Sequence, residues 1–260
     1  MNKLTALVTG ASQGLGKSFA FELASKKIDL ILVSLPSSGL PELASFIRRN
    51  FDIEVVYIEA DLTKMENISD IFRTLKDSRL VPDILINNAG SGNTSWFLEK
   101  DINFYKDQID LNITGTVLLT RLFLDQVNYT TPVYILNVSS LGGVYIVPGK
   151  QVYGATKAFI NYFTKCLRLE RSNTNLNISL LIAGGIDTSP EQLVLHDKLK
   201  GISKASILEP DRVARNAING LLKGKQVIIP GTVNKILVMA HSLIPSFVKD
   251  FVINKKVKHI

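Results

Sequence analysis

Short apolar runs and helical patterns alternate along this chain, separated by turn signals. Leu4-Thr5-Ala6-Leu7-Val8-Thr9 is almost continuously apolar and leads straight into Gly10-Ala11-Ser12-Gln13-Gly14-Leu15-Gly16. Such a run, bounded by a glycine turn, reads as a buried strand. Lys17 to Lys26 then carries Phe19, Ala20, Leu23 and Ala24 at helical spacing. The beat repeats: strands over Ile28–Val33, Ile53–Ile58, Asp83–Ile86, Pro132–Val138, Ile178–Ile182 and Gln226–Ile229, and helices over Glu42–Asn50, Phe104–Asn128, Tyr153–Arg171 and Asp211–Leu222. Another helix is expected from a cap at Thr63 to Asp77, with Ile68, Ile71, Phe72 and Leu75 on one face. The strands are apolar on both faces, as strands covered by helices on either side must be.

This alternation predicts an α/β fold: one domain, three layers (α/β/α), built on a doubly wound parallel sheet of the Rossmann type with right-handed crossovers. Ligands of such sheets bind beyond the carboxyl ends of the strands. Gly10, Ser34, Asp61, Asn87, Ser139 and Gly184 all fall at those ends. The glycines Gly10, Gly14 and Gly16, between a strand and a helix, suit a diphosphate held by backbone N–H groups and a helix N-terminus. Tyr153 and Lys157 stand four apart and share a helix face. An ammonium ~4 Å from a phenol, at an effective dielectric of ~20, contributes on the order of 4 kcal/mol, or about three pKa units as an upper figure. Such a tyrosine could trade protons near neutral pH.

Composition narrows the setting. The chain has 260 residues, 46% hydrophobic, which suits one large domain. Its net charge of +7 admits nucleic acid, an anionic membrane or an anionic cofactor as partner, but the cations are scattered except for Lys249, Lys255, Lys256 and Lys258, which argues against nucleic acid. The single cysteine, Cys166, allows no internal disulfide and fits a reducing, cytoplasmic location. No run is long and apolar enough for a membrane span, and His196, His241 and His259 show no metal-ligand spacing, so no metal is expected.

Several motifs recur in order: Thr9-Gly10-x-x-x-Gly14-x-Gly16, Asp61-Leu62, Asn87-Asn88-Ala89-Gly90, Leu111-Asn112-Ile113-Thr114-Gly115, Ser140, and Tyr153-x-x-x-Lys157 thirteen residues after that serine. Over about residues 3–230 the chain resembles the short-chain dehydrogenases/reductases in their single-domain form. The resemblance implies an NAD(P)-dependent oxidoreductase of carbonyls and secondary alcohols. It implies that Tyr153 exchanges the proton, that Lys157 lowers the tyrosine's pKa and holds the nicotinamide ribose, and that Ser140, rather than its neighbour Ser139, binds the substrate oxygen. Asn112 is implied to hold a water linking Lys157 to solvent. The implied cofactor contacts are Gly10, Ser12, Gln13, Gly14, Leu15, Gly16, Ser34, Asp61, Leu62, Asn88, Ala89, Gly90, Tyr153, Lys157, Gly184, Ile186 and Thr188. Substrate contacts are expected from Ser140, Leu141, Tyr145, Tyr153 and Gly185. One motif departs: Ala183-Gly184-Gly185-Ile186-Asp187-Thr188 stands where the family usually has Pro-Gly-x-Val-x-Thr.

The second strand ends in Ser34, not in the carboxylate that selects NAD, which favours NADP(H) and leaves NAD(H) open. Leu141, Tyr145, Ile146, Val147, Trp96, Leu193 and Leu195 suggest an apolar substrate. Residues 231–260 read as an amphipathic, basic helical extension of the 1–230 catalytic domain, with Pro245 breaking it. Two readings of it stand: packing on the domain or a second subunit, and contact with an anionic membrane surface. A homodimer or homotetramer is implied by the resemblance alone. The competing function is a dinucleotide-binding regulator or redox sensor without catalysis, because fold alone does not prove activity.

Overall fold

A computed structural model describes residues 3–172, 174–186 and 201–244. Seven strands form one parallel sheet: β1 (Thr5–Thr9), β2 (Asp29–Ser34), β3 (Val55–Glu59), β4 (Ile84–Asn87), β5 (Val133–Ser140), β6 (Leu176–Ala183) and β7 (Val227–Ile228), in the order β3-β2-β1-β4-β5-β6-β7. The chain winds outward from β1 to β3, then crosses back to β4 and winds the other way. The order therefore switches direction between β1 and β4, and the glycine turn follows β1 at that point. The expected doubly wound, three-layer single domain is the observed one.

Alternate strand residues feed the two helical layers. Ala6, Val8, Leu30, Leu32, Ile84, Ile86 and Leu136 pack under α1 (Gly14–Ser25), α2 (Leu40–Asn50) and α8 (Pro210–Leu222), through Phe19, Leu23, Ile47, Val213 and Leu221. Leu7, Ile31, Leu85 and Ile135 face α3 (Met65–Asp77) and α5 (Thr116–Gln126), through Ile68, Phe72, Leu119 and Phe123. On β6, Leu180 and Ile182 meet Ile160 of α6 (Gln151–Glu170). The remaining helices are α4 (Ile102–Ile109), the short α7 (Gly201–Ala205) and α9 (Thr232–Leu243).

Three expectations are corrected. The helix over 104–128 is interrupted: between α4 and α5, Asp110–Gly115 forms a π-helical turn. Thr63 does not cap α3, whose N-cap is Lys64; its N–H and hydroxyl instead donate to Asp61 Oδ1 at 3.0 and 2.8 Å. Helix α1 begins at Gly14, inside the glycine turn, three residues before the apolar pattern starts. In the tail, α9 realises the first part of the expected extension. Asn234 anchors it, donating to Ser206 O and Pro230 O, each at 3.0 Å. Pro245 and the terminal lysines lie outside the described residues. Among the described residues no helix is long and apolar enough to cross a membrane.

Candidate active site

The glycine turn is fastened from the next strand over. Thr9 Oγ1 donates to Ile86 O (3.1 Å) and accepts from the N–H groups of Asn88 and Ala89 (both 3.0 Å). The Asn88 carboxamide donates to Thr9 O at 2.9 Å and to Gly10 O at 3.3 Å. A Cβ on Gly16 would overlap the Gly10 carbonyl oxygen, so only glycine lets the helix start this close to the turn. No side chain caps α1 at Gln13, and its first N–H groups have no intrahelical acceptor.

A cavity of about 440 Å³ lies against this turn. Gly10, Ser12 to Gly16, Ser34, Asp61, Leu62 and Asn88 to Gly90 all line it, so every strand-end and turn residue expected on the adenosine and diphosphate side is brought together. Ser12 and Ser34 meet there, hydroxyl to hydroxyl, at 2.8 Å. Leu35, Ala60, Thr63 and Leu111 also line it and were not expected.

A second cavity of about 610 Å³ adjoins the first, sharing Asn88 and Gly90 as walls. Ser140, Leu141, Tyr145, Tyr153, Lys157, Gly184, Gly185 and Ile186 line it, as expected. Thr188, Leu193 and Leu195 lie outside the described residues. Trp96 and Ile146, expected on the substrate side, are exposed and do not line it. Polar groups temper its apolar walls: Ser91, Asn93, Thr94 and Lys150 join Leu141 and Val147. Lys150 is the charged one among these four.

Tyr153 enters from the first turn of α6. Its ring is held edgewise between two glycines: a Cβ on Gly92 would stand 2.9 Å from Cδ2 and Cε2, and one on Gly142 3.3 Å from Cε1. The two serines at the end of β5 divide their tasks. Ser139 is buried and donates to Lys157 O at 3.1 Å, tying β5 to α6. Ser140 faces the cavity, accepts from Gly142 N–H at 3.1 Å, and hydrogen-bonds the Tyr153 phenol. Lys157 is buried; its Nζ donates to Val138 O at 2.9 Å and sits 5.9 Å from the centre of the Tyr153 ring.

Burial lowers the Lys157 ammonium to about 8. Burial also holds the Tyr153 phenol above its ordinary value, with the Ser140 hydrogen bond pulling the other way. The expected depression of the tyrosine by its lysine is therefore corrected: the ammonium is engaged by a backbone carbonyl, and the cost of burying a phenolate dominates.

Asn112 lines neither cavity. It sits on the π-helical turn, 1% exposed, and both ends of its carboxamide are hydrogen-bonded. Nδ2 donates to Ser91 O (2.9 Å) and Thr156 Oγ1 (3.0 Å), and Oδ1 accepts from Ser91 N–H (2.9 Å). Its side chain fastens the β4 loop to α6, and Oδ1 keeps one lone pair beyond the Ser91 bond.

The two cavities together fit a dinucleotide. A glycine turn with free N–H groups lies at one end, the Tyr153–Lys157 pair at the other, and Asn88 and Gly90 bridge them. The short chain dehydrogenase family model matches residues 4–198. The chain belongs to the short-chain dehydrogenase family. It is an NAD(P)-dependent oxidoreductase of carbonyl and alcohol groups. Among relatives of this dehydrogenase, the NADP-dependent 3-hydroxy acid dehydrogenase of Schizosaccharomyces pombe is 30% identical over 88% of the chain and 90% of its own length. The very-long-chain 3-oxoacyl-CoA reductase of Bos taurus is 36% identical over 64% of the chain, which spans about half (54%) of that relative's length. A short-chain dehydrogenase from Sphingobium yanoikuyae, solved in complex with NADPH, has 28% identity and a TM-score of 0.76 over 87% of each chain.

Proposed function

We propose that this dehydrogenase reduces a carbonyl with NADPH, or oxidises the corresponding alcohol with NADP+, and that Tyr153 exchanges the proton. The observation that carries the reading is the meeting of Ser140, Tyr153 and Lys157 in one cavity that adjoins the glycine-turn cavity. When bound, the dinucleotide supplies or takes the hydride. Tyr153 carries its proton at neutral pH, since burial raises its pKa, so the phenol is ready to donate to a carbonyl oxygen. Ser140 donates to the same oxygen and stabilises the charge that develops there. Lys157 supplies a buried positive charge beneath the ring, and Asn112 acts through position, holding α6 against the Ser91 loop.

Three observations support NADP(H) over NAD(H). Ser34 stands where a carboxylate would repel a 2′-phosphate. The Ser12 and Ser34 hydroxyls hydrogen-bond each other at that edge, which leaves one of their two protons to donate. The Schizosaccharomyces pombe relative is NADP-dependent by name, and the Sphingobium yanoikuyae relative was solved with NADPH.

A panel of ketones and oxo acids assayed with NADPH and with NADH tests the reading, alongside Tyr153→Phe. The expected result is a higher kcat/KM with NADPH, and a loss of roughly 10²–10⁴-fold in kcat for the variant. Equal use of both cofactors would remove the NADP(H) preference. A variant that keeps wild-type turnover would remove Tyr153 from the chemistry.

A further inference from the structure

Lys150 is a cation that the reaction does not use. It is the N-cap residue of α6, three positions before Tyr153, and it lines the 610 Å³ cavity. Its backbone is pinned on both sides: its N–H donates to Val147 O at 3.0 Å and its carbonyl accepts from Gly154 N–H at 2.7 Å. Its Nζ lies 5.5 Å from the centre of the Tyr153 ring. Lysines with no structural task ordinarily swing their ammonium into water. This one is turned inward and is only partly exposed.

Among the described residues no counter-ion stands beside it: none of them engages Lys150 in a salt bridge or side-chain hydrogen bond, and none of those lining the cavity is Asp or Glu. Burial accordingly pushes its ammonium below the ordinary lysine value. The second charged group on the wall, Lys157, is also a cation. Tyr145 lines the same cavity, and its buried hydroxyl has no hydrogen-bond partner. The positive end of the α6 dipole adds to the same potential. A concave surface with two cations, a spare hydroxyl donor and no carboxylate among its described residues is complementary to an anion.

We infer that Lys150 binds a carboxylate carried by the substrate, so that this dehydrogenase acts on oxo acids and their hydroxy acids rather than on neutral apolar ketones. The inference rests on the reading of Tyr153 and Ser140 as the groups at the reacting oxygen. With that oxygen at Tyr153 and the carboxylate at Lys150, a few bonds away on the same carbon skeleton, the substrate is held at two points. Two-point attachment fixes the reacting carbon in the cavity, where positioning carries much of the rate. The apolar walls, Leu141 and Val147, then cover the skeleton between the two polar ends.

The test compares a short 3-oxo acid with its methyl ester, using NADPH, in wild type, Lys150→Met and Lys150→Arg. The acid is expected to be the better substrate of the wild type. Lys150→Met is expected to lower kcat/KM for the acid by roughly tenfold to a hundredfold more than for the ester, chiefly through KM, the range of one charge-assisted hydrogen bond. Lys150→Arg keeps the preference for the acid. Butanoate, which has no reducible carbonyl, is expected to inhibit the wild type competitively and Lys150→Met at least tenfold more weakly. Equal losses on acid and ester would overturn the inference and leave Lys150 as a group that only tunes Tyr153, as would a wild type that prefers the ester. A wild type that binds butanoate but reduces no carbonyl would instead overturn the reaction reading.

Discussion

The two adjoining cavities are built by different means. On the glycine-turn side the chain offers backbone, and the Thr9 hydroxyl and the Asn88 amide N–H groups are spent on holding the turn. On the Tyr153 side the walls come from the β4 loop, the end of β5, α6 and the loop after β6, and several groups are left in tension. Among the described residues Tyr145 has an orphaned hydroxyl and Lys150 no counter-ion, and burial works against the charged forms of both Lys157 and Tyr153. A site that grips by N–H groups can be finished before its ligand arrives. A site that recognises by side chains holds part of its polar capacity open until then.

That contrast can be tested by changes confined to one half. The largest effect is expected from Gly16→Ala, which drives a methyl into the Gly10 carbonyl. NADPH affinity should fall by more than ~100-fold and the Tm by several degrees, as overpacking of about 1–3 kcal/mol implies. Fluorescence titration and thermal melting report both, and wild-type affinity would break the claim that backbone geometry builds this half. Next comes Gly92→Ala, whose Cβ would stand 2.9 Å from the Tyr153 ring. A displaced ring should lower kcat by roughly tenfold to a hundredfold while NADPH affinity stays near wild type. Parallel losses in both quantities would mean that the halves are not separable.

The smallest effect is a pH dependence of stability in the cofactor-free protein. Lys157 titrates near 8 in the folded state against 10.5 when unfolded. Between those values the unfolded chain binds more protons, so stability rises with pH. The cost of the buried ammonium is fully present below about 8 and is relieved on going toward pH 10, by on the order of 2 kcal/mol. Above pH 10 the raised Tyr153 pKa turns the trend down again, because the folded state then holds the extra proton. Urea denaturation at stepped pH measures this, and Lys157→Met should abolish the rise. A flat wild-type profile would show that the folded lysine titrates normally.

The sheet was legible because its strands are covered on both faces and so read as unbroken apolar runs, such as Leu30 to Val33. The strand-end residues were legible because parallel strands put all their carboxyl ends on one edge; Asn87 pairs with Asn137, and Ser140 with Ala183, along that edge. Spacing from Tyr153 also separated Ser140 from Ser139. What escaped were features set by tertiary contacts. The π-helical turn at Asp110–Gly115 leaves no mark on periodicity, since its apolar residues keep a helical beat. The upward shift of Tyr153 comes from its burial, which spacing cannot tell. That Lys150 turns inward is likewise set by the fold, because nothing local says which way a side chain ahead of α6 points.

The paired glycines beside Tyr153 also constrain how its ring moves. An aromatic ring hemmed on both edges cannot flip about its Cβ–Cγ axis without pushing its neighbours aside. Here those neighbours are two different loops, carrying Gly92 and Gly142, and both are walls of the cavity that the substrate must enter. The same two loops thus bear on both the Tyr153 ring and the entrance of the cavity.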